Sequence, residues 1–282
     1  MEIEKLKQIG IEALKKAFQV HEELETAGEG MVQKNQFGET ALKMDIEAEK
    51  AIINTLKRAN LSIKVISEEH GITKIGNEPI YLGVLDGLDG SEVYKKARGK
   101  GRYGTMLGIF SNLNPKYGDY LFSGIIEHST RKLFYALKDQ GSYVIEKGNK
   151  KAIHVSISQK LGKITKIYID SNEKARHFSF IMQTFVNKLP SDVNFKCLHS
   201  SAAHYVDFVS GGVDLVLECT RKGNLEMAVA YGLVVESGGV MLSFDGKSLG
   251  PRRYLKFGQE KYTPIITAST KQLAKELIKY LD

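Results

Sequence analysis

Apolar residues at Ile3, Leu6, Ile9, Leu14 and Phe18 recur near the helical spacing and predict a helix over 2–24. The next stretch, GEGMVQKNQFG, is rich in glycine and polar residues and reads as a loop. A second helix is expected over 40–59, with Thr40 as its N-cap. Short β-branched strands are expected at 61–66, ending in Glu68-Glu69, and at 81–85, running into Asp86-Gly87-Leu88-Asp89-Gly90-Ser91. From 105 to about 155 the segments TMLGIF, YLFSGIIEH, KLFYALK and GSYVIEK are strand-length and separated by turn residues, the pattern of an antiparallel sheet. Beyond that the texture alternates. Strands are expected at 164–169, 195–198, 213–217 and 265–267, and helices at 173–189, 200–210, 225–236 and 270–281. Such alternation indicates an α/β unit. The chain therefore divides into an α+β half, 1–158, and an α/β half, 159–282.

Composition adds limits. At 282 residues, with 42% apolar and 26% charged residues, the chain can build a real core, and disorder or coiled coil is excluded. The net charge of +7 favours anionic partners without choosing among phosphate esters, nucleic acid and membrane surface. Two cysteines, Cys197 and Cys219, make no disulfide framework and no zinc spacing. They read as small apolar residues in a reducing compartment. No signal-peptide core and no membrane-length apolar run is present, so the expectation is a soluble, cytoplasmic protein without a membrane partner.

The informative feature is where acidic residues end apolar strands. If neighbouring strands finish at one sheet edge, Glu68, Glu69, Asp86 and Asp89 converge there. Packed carboxylates repel and are pushed toward their neutral form unless a cation joins them. Oxygen ligands without His or Cys select Mg²⁺ over zinc. If Gly90 and Ser91 open a helix, their N–H groups can hold a phosphate beside the metal. Taken alone, DGLDGS reads as an ordinary Asp/Gly turn, because such turns are common.

GVLDGLDGSEVY resembles the D-P-x-D-G-S/T signature of the inositol monophosphatase superfamily, and VISEEHG resembles its upstream acidic pair, S-E-E in fructose-1,6-bisphosphatases. LEMAVAYGLVVESGGVMLSFDGKSL is similar to the family's second motif, MDIEAE to its D-x-x-x-E, and SSAAHYVDFVSGGVDLVLE to its G-S-A-A segment. IITASTKQLAKELIKYL has the family's closing strand and helix, so the likeness covers nearly the whole chain in order. The resemblance implies an α/β fold, a layered αβαβα sandwich of the sugar-phosphatase type, with its active site between the halves. It implies Mg²⁺-dependent phosphomonoester hydrolysis by a metal-activated water. Glu68, Asp86, Asp89, the Leu88 carbonyl and Glu226 would bind metal. Asp45 and Ser91 would activate the water, with Glu69 as helper. Gly90 and Ser91 would hold the phosphate, and Ser201, Ala202, Glu218 and Arg221 would contact the rest of the substrate. A homodimer and lithium sensitivity are further family expectations. KNQFGET resembles the loop that folds over the metal site.

Departures bear on the substrate. Gly87 replaces the signature Pro and loosens the turn; Val93 replaces Asn, Ser200 replaces Gly, and Glu226 stands where most members have Asp. The S-E-E pair and Glu226 lean toward fructose 1,6-bisphosphate, with an inositol monophosphate close behind. The basic loop YKKARGKGRYG, with Lys95, Lys96, Arg98, Lys100 and Arg102, reads as a solvated charged loop, as a clamp for a second phosphate, or as a nucleic-acid contact with Tyr94 and Tyr103 as its aromatics. It keeps open a 3′-phosphoadenosine phosphate substrate, and an RNA- or partner-binding protein on a phosphatase fold. His199 and His204 read as polar or capping residues, and Asp214 as a fold-supporting one.

Overall fold

The computed structural model describes residues 3–38, 40–97, 101–169, 183–220, 223–259 and 262–281. Helix α1 (Ile3–Leu24) buries Leu6, Ile9, Ala13, Leu14 and Ala17, the stripe its period predicts. That stripe packs against α2 (Lys43–Arg58) and one face of an eight-stranded sheet. The sheet contains β3 (Ile63–Ser67), β4 (Gly71–Ile75), β5 (Tyr81–Asp89), β6 (Gly104–Phe110), β7 (Tyr120–Glu127), β8 (Lys132–Leu137), β9 (Gly141–Glu146) and β10 (Asn149–Ile153). Its spatial order is β10-β9-β8-β7-β6-β5-β3-β4. Neighbours are antiparallel except β3 and β5, which run parallel.

The sheet's second face carries the helices Ser201–Val209 and Leu225–Glu236. Beyond them lies a five-stranded sheet, ordered β12 (Asn194–Lys196), β11 (Lys166–Ile169), β13 (Leu215–Cys219), β15 (Pro264–Ala268), β14 (Val240–Ser243). The helix Lys271–Leu281 covers its far side. The layers thus run αβαβα. The 225–236 helix is apolar nearly all round because it lies between two sheets. Every position of β5 is buried because helices cover both faces of its sheet. Among the described residues, no helix is long and apolar enough to cross a membrane.

Alternation along β5 aims the site. Tyr81 and Leu85 join the core under α1 and α2, while Leu82 and Val84 join the core around the 225–236 helix. Asp86 continues the second series, on the face where that helix begins.

Local structure departs from the sequence expectation at several points. Residues 28–38 are not all loop: β1 (Met31–Lys34) pairs with β2 (Thr40–Leu42) as a hairpin. Thr40 is therefore a strand residue and not an N-cap. The ladder keeps the backbone extended through Leu42, and α2 starts at Lys43. The Asp45 carboxylate supplies the cap, accepting the Leu42 N–H at 2.9 Å. β4 and β14 were not expected, and the strand expected at 61–66 runs from Ile63 to Ser67. The helix expected over 173–189 falls mostly outside the described residues; of its described end, 183–184 are helical and Val186–Lys188 is a 3-10 turn.

The 225–236 helix is tied to the large sheet at its far end. Glu236 accepts the Tyr120 hydroxyl at 2.5 Å and the N–H groups of Asp139 and Gly141, each at 2.7 Å. These three donors explain an acidic residue at a helix C-terminus, where the dipole disfavours one. Glu236→Ala is expected to lower stability by about 2 kcal/mol, read as a lower urea midpoint with unchanged secondary structure.

Candidate metal centre

The β5–β6 ladder slips between Asp86 and Asp89. Residues three apart on a regular strand face opposite ways, and the irregularity lets both carboxylates reach one gap. Asp86 Oδ1 accepts the Leu88 N–H at 3.0 Å, closing the turn on itself. The Gly87 carbonyl accepts the Thr105 hydroxyl at 2.7 Å. A Cβ at Gly87 would lie 2.5 Å from the Asp45 carbonyl oxygen and 2.8 Å from Glu49 Cγ. The glycine that replaces the signature Pro therefore does not loosen the turn: α2 lies directly on it, with no space for a side chain. Gly90 has a left-handed φ of 91°, where glycine is favoured, and helix α3 (Ser91–Ala97) follows.

Two groups from later in the chain reach this turn. Glu226 lies in the first turn of the 225–236 helix. Before it, Asn224 is left-handed at φ 48° and donates to Tyr117 Oη and to the Phe257 carbonyl, which fixes where the helix starts. Carboxylate oxygens of Asp86, Asp89 and Glu226 all lie within 4.8 Å of one another. Ser200, the N-cap of the 201–209 helix, donates its hydroxyl to Asp89 Oδ2 at 2.5 Å. The Ala202 N–H donates to the same oxygen at 2.7 Å.

The acidic pair after β3 is held from two sides. Asn35 Nδ2 donates to Glu68 at 3.1 Å and to Glu69 at 3.3 Å. Gln36 donates to the Ser67 carbonyl at 2.5 Å, so Asn35 and Gln36 lie over the pair. From beneath, the fully buried Glu49 accepts the N–H groups of Glu69 and His70 at 3.1 and 3.0 Å and faces His70 Nδ1 at 2.8 Å. Asp45 faces the same region. The Ser91 hydroxyl lies 3.4 Å from Asp45 Oδ1 and 3.0 Å from the Leu88 carbonyl.

Burial pushes the Asp45 carboxyl up to about 8; the Leu42 N–H works against this, and the charges of Glu69 and Glu49 add to it. Burial also raises Asp86 well above the carboxylate range, reinforced by Glu68, Asp89, Glu226 and Asp45 in that order. Glu68 is thus close enough to act on Asp86 electrostatically, though the three-residue cluster does not include it. A divalent cation fits this donor set. The ligating atoms are all oxygens, and their mutual repulsion falls when a positive charge joins them.

Other candidates lie differently. Ser201 and Ala202 are buried at the helix start. Glu218 is buried with Oε1 at 2.9 Å from His204 Nδ1, and His204 Nε2 accepts the Leu198 N–H at 3.0 Å, a polar structural role for that histidine. Asp214 accepts the Ser156 hydroxyl and the Lys166 N–H. Cys219 is buried, but Cys197 is half-buried with its sulfur 3.4 Å from His199 Nδ1, so it is not an inert core residue. Arg221, Arg98 and Lys100 lie outside the described residues. Tyr94 and Tyr103 are buried and packed with His21, which removes them as stacking platforms for nucleic acid. Sequence reasoning missed Asn35, Glu49 and Thr105 as supports; Ser200 is flagged only as a departure from the family's Gly.

Two outcomes are expected. A carboxyl raised in the fold favours the protonated, folded form. Its contribution is present below the ordinary value of 3.8 and is lost as pH rises through about 8. In chelator, the melting temperature therefore falls across this range, and adding a divalent cation at pH 8 restores it more than at pH 5. Gly87→Pro, which restores the signature residue, is expected to destabilise by about 2 kcal/mol in chemical denaturation, because the Asp45 backbone cannot move aside.

The chain is 26% identical over 226 residues to a bifunctional NADP phosphatase/NAD kinase of Methanococcus maripaludis, covering 75% of this chain and 38% of that protein. This chain therefore spans well under half the length of that relative. It is 23% identical over 270 residues to a fructose-1,6-bisphosphatase/inositol-1-monophosphatase of Methanothermobacter thermautotrophicus, covering 92% and 89% of the two chains. The structure of the extragenic suppressor protein suhB from Bartonella henselae superposes with a TM-score of 0.79 at 17% identity over 98% of each chain, a likeness of fold. The model of the inositol monophosphatase family matches residues 2–282, and the chain belongs to that family.

Proposed function

We propose that this chain hydrolyses a small phosphate monoester with the help of a divalent cation, Mg²⁺ by preference. The observation that carries the reading is the convergence of Asp86, Asp89 and Glu226 from two halves of the fold, their oxygens within 4.8 Å. These residues, with Glu68 and the Leu88 carbonyl, would hold the cation. When bound, it supplies positive charge to the phosphoryl oxygens and lowers the pKa of an attacking water.

The remaining work belongs to the chain. Asp45 Oδ2 is occupied by the Leu42 N–H, which leaves Oδ1 directed at the Ser91 hydroxyl. A carboxyl held near 8 is mostly protonated at neutral pH, and Asp45 would accept a proton once a bound cation lowers that value. Ser91 and Asp45 thus orient the water and take its proton, with Glu69 assisting. The N–H groups of Gly90 and Ser91 hold the phosphate at the start of α3. Ser201, Ala202, Glu218 and Arg221 are carried forward as residues defining the alcohol side of the substrate. Water is the nucleophile, so no covalent phosphoenzyme forms.

The favoured substrates are fructose 1,6-bisphosphate and an inositol monophosphate. A second reading, a nucleotide ribose phosphate such as that of NADP, is favoured by the likeness to the NADP phosphatase/NAD kinase. The proposal includes a homodimer in the cytoplasm, the latter in keeping with two free cysteines. Phosphate release with Mg²⁺ from fructose 1,6-bisphosphate, inositol 1-phosphate, NADP and 3′-phosphoadenosine 5′-phosphate tests it. Turnover of at least one is expected, with Asp89→Asn slower by more than about a hundredfold, since a direct ligand outweighs an outer partner. No release from any, or equal release by the variant, contradicts it.

A further inference from the structure

Two described cations of the basic segment, Lys96 in α3 and Arg102 beyond it, are each held by acidic side chains. Lys96 pairs with Glu92 at 2.5 Å. Arg102 is held in a half-buried junction: its Nε donates to Glu127 of β7 and its Nη1 donates to Asp207 at 2.6 Å. Glu127 is 1% exposed, and its other oxygen accepts the Thr130 hydroxyl. Tyr168 of β11 also donates to Asp207, at 2.8 Å.

Asp207 lies on the 201–209 helix, whose opposite end grips Asp89 through Ser200 and the Ala202 N–H. That helix is clipped to the large sheet at both ends. Its start reaches the metal-site turn, and its later part rests on Arg102. Between these points the fit is close: a Cβ at Gly104 would lie 3.1 Å from Ala202 Cβ.

We propose that Arg102 is a positioning residue for Asp89, acting through the 201–209 helix. The inference rests on the metal-centre reading above. The physical reason is charge. Without the guanidinium, the buried Glu127 and the facing Asp207 become two like charges with no cation between them, and repulsion lifts the Asp207 end of the helix. A short helix moves as a rigid rod, so Ser200 and Ala202 lose their register on Asp89. A carboxylate free to rotate binds a cation less tightly than one held in place. Arg102 suits the task because its planar fork satisfies two carboxylates at once; a lysine presents a single charged point.

The test is Mn²⁺ binding without substrate, followed by the electron paramagnetic resonance signal of the free ion, with circular dichroism to establish folding. Arg102→Gln is expected to weaken Mn²⁺ binding about tenfold, the low end of the range for outer supports of a metal ligand. Arg102→Lys is expected to recover part of that loss. In turnover, the metal concentration for half-activation rises more than kcat at saturating metal falls. A purely structural role would lower the melting temperature and leave Mn²⁺ affinity well below that temperature unchanged. Asp207→Asn weakens the same junction from the other side and is expected to reduce affinity about threefold, a fraction of the outer-support effect. Should Arg102→Gln not fold, this variant decides. A folded Arg102→Gln, or in its place Asp207→Asn, that binds Mn²⁺ as tightly as wild type overturns the proposal. If wild type binds Mn²⁺ and Asp89→Asn does not, that failure is confined to Arg102. If wild type binds none, the metal centre itself fails and the inference with it.

Discussion

Like charges held close together in a buried place are the constraint to which this fold responds. Asp86 is 2% exposed, Asp89 5% and Asp45 4%, and Glu68 and Glu226 act on the same region. In a low-dielectric interior such a group cannot remain ionised without a cation or a dense set of donors. The surroundings provide part of the second. Asp45 accepts from Leu42, Asp86 from Leu88, Asp89 from Ser200 and Ala202, and Glu49 from two successive backbone N–H groups. What the donors leave uncompensated is the repulsion among the carboxylates, which a divalent ion would reduce.

The layered architecture follows from the need to hold these groups from several directions. β5 supplies two carboxylates through a broken ladder. α2 lies so close that Gly87 has no room for a side chain, and it carries both Asp45 and Glu49 to the turn. From the far layer, the 225–236 helix delivers Glu226 at one end and is anchored by Glu236 at the other. The 201–209 helix grips Asp89 with its start and Arg102 with Asp207. The clustered carboxylates come from β5 and from the 225–236 helix, so the packing of that helix on the large sheet sets their geometry.

Much of this was legible in the residues. The 3.6-residue period of α1, the runs of β6 through β9 and the uniformly apolar 225–236 helix all announce themselves over many positions. The two aspartates of DGLDGS and the acidic pair after β3 mark a strand edge. The β1–β2 hairpin left no such trace, because all four residues of β1 are exposed and carry no burial pattern. Thr40 has the right chemistry for an N-cap, but ladder pairing with β1 overrides it. Asn35, Ser200 and Arg102 act on partners 33, 111 and 105 residues away, and no local spacing encodes contacts of that range. Gly87 shows the converse: its sequence suggests a looser turn, and only the packing of α2 explains why a glycine is required.

Diffraction from crystals of the wild-type protein soaked in Mn²⁺, with data collected at the manganese absorption edge, tests the central claim most directly. The account predicts an anomalous peak bounded by Asp86, Asp89 and Glu226. An empty position among these carboxylates in a crystal that takes up manganese elsewhere would contradict it.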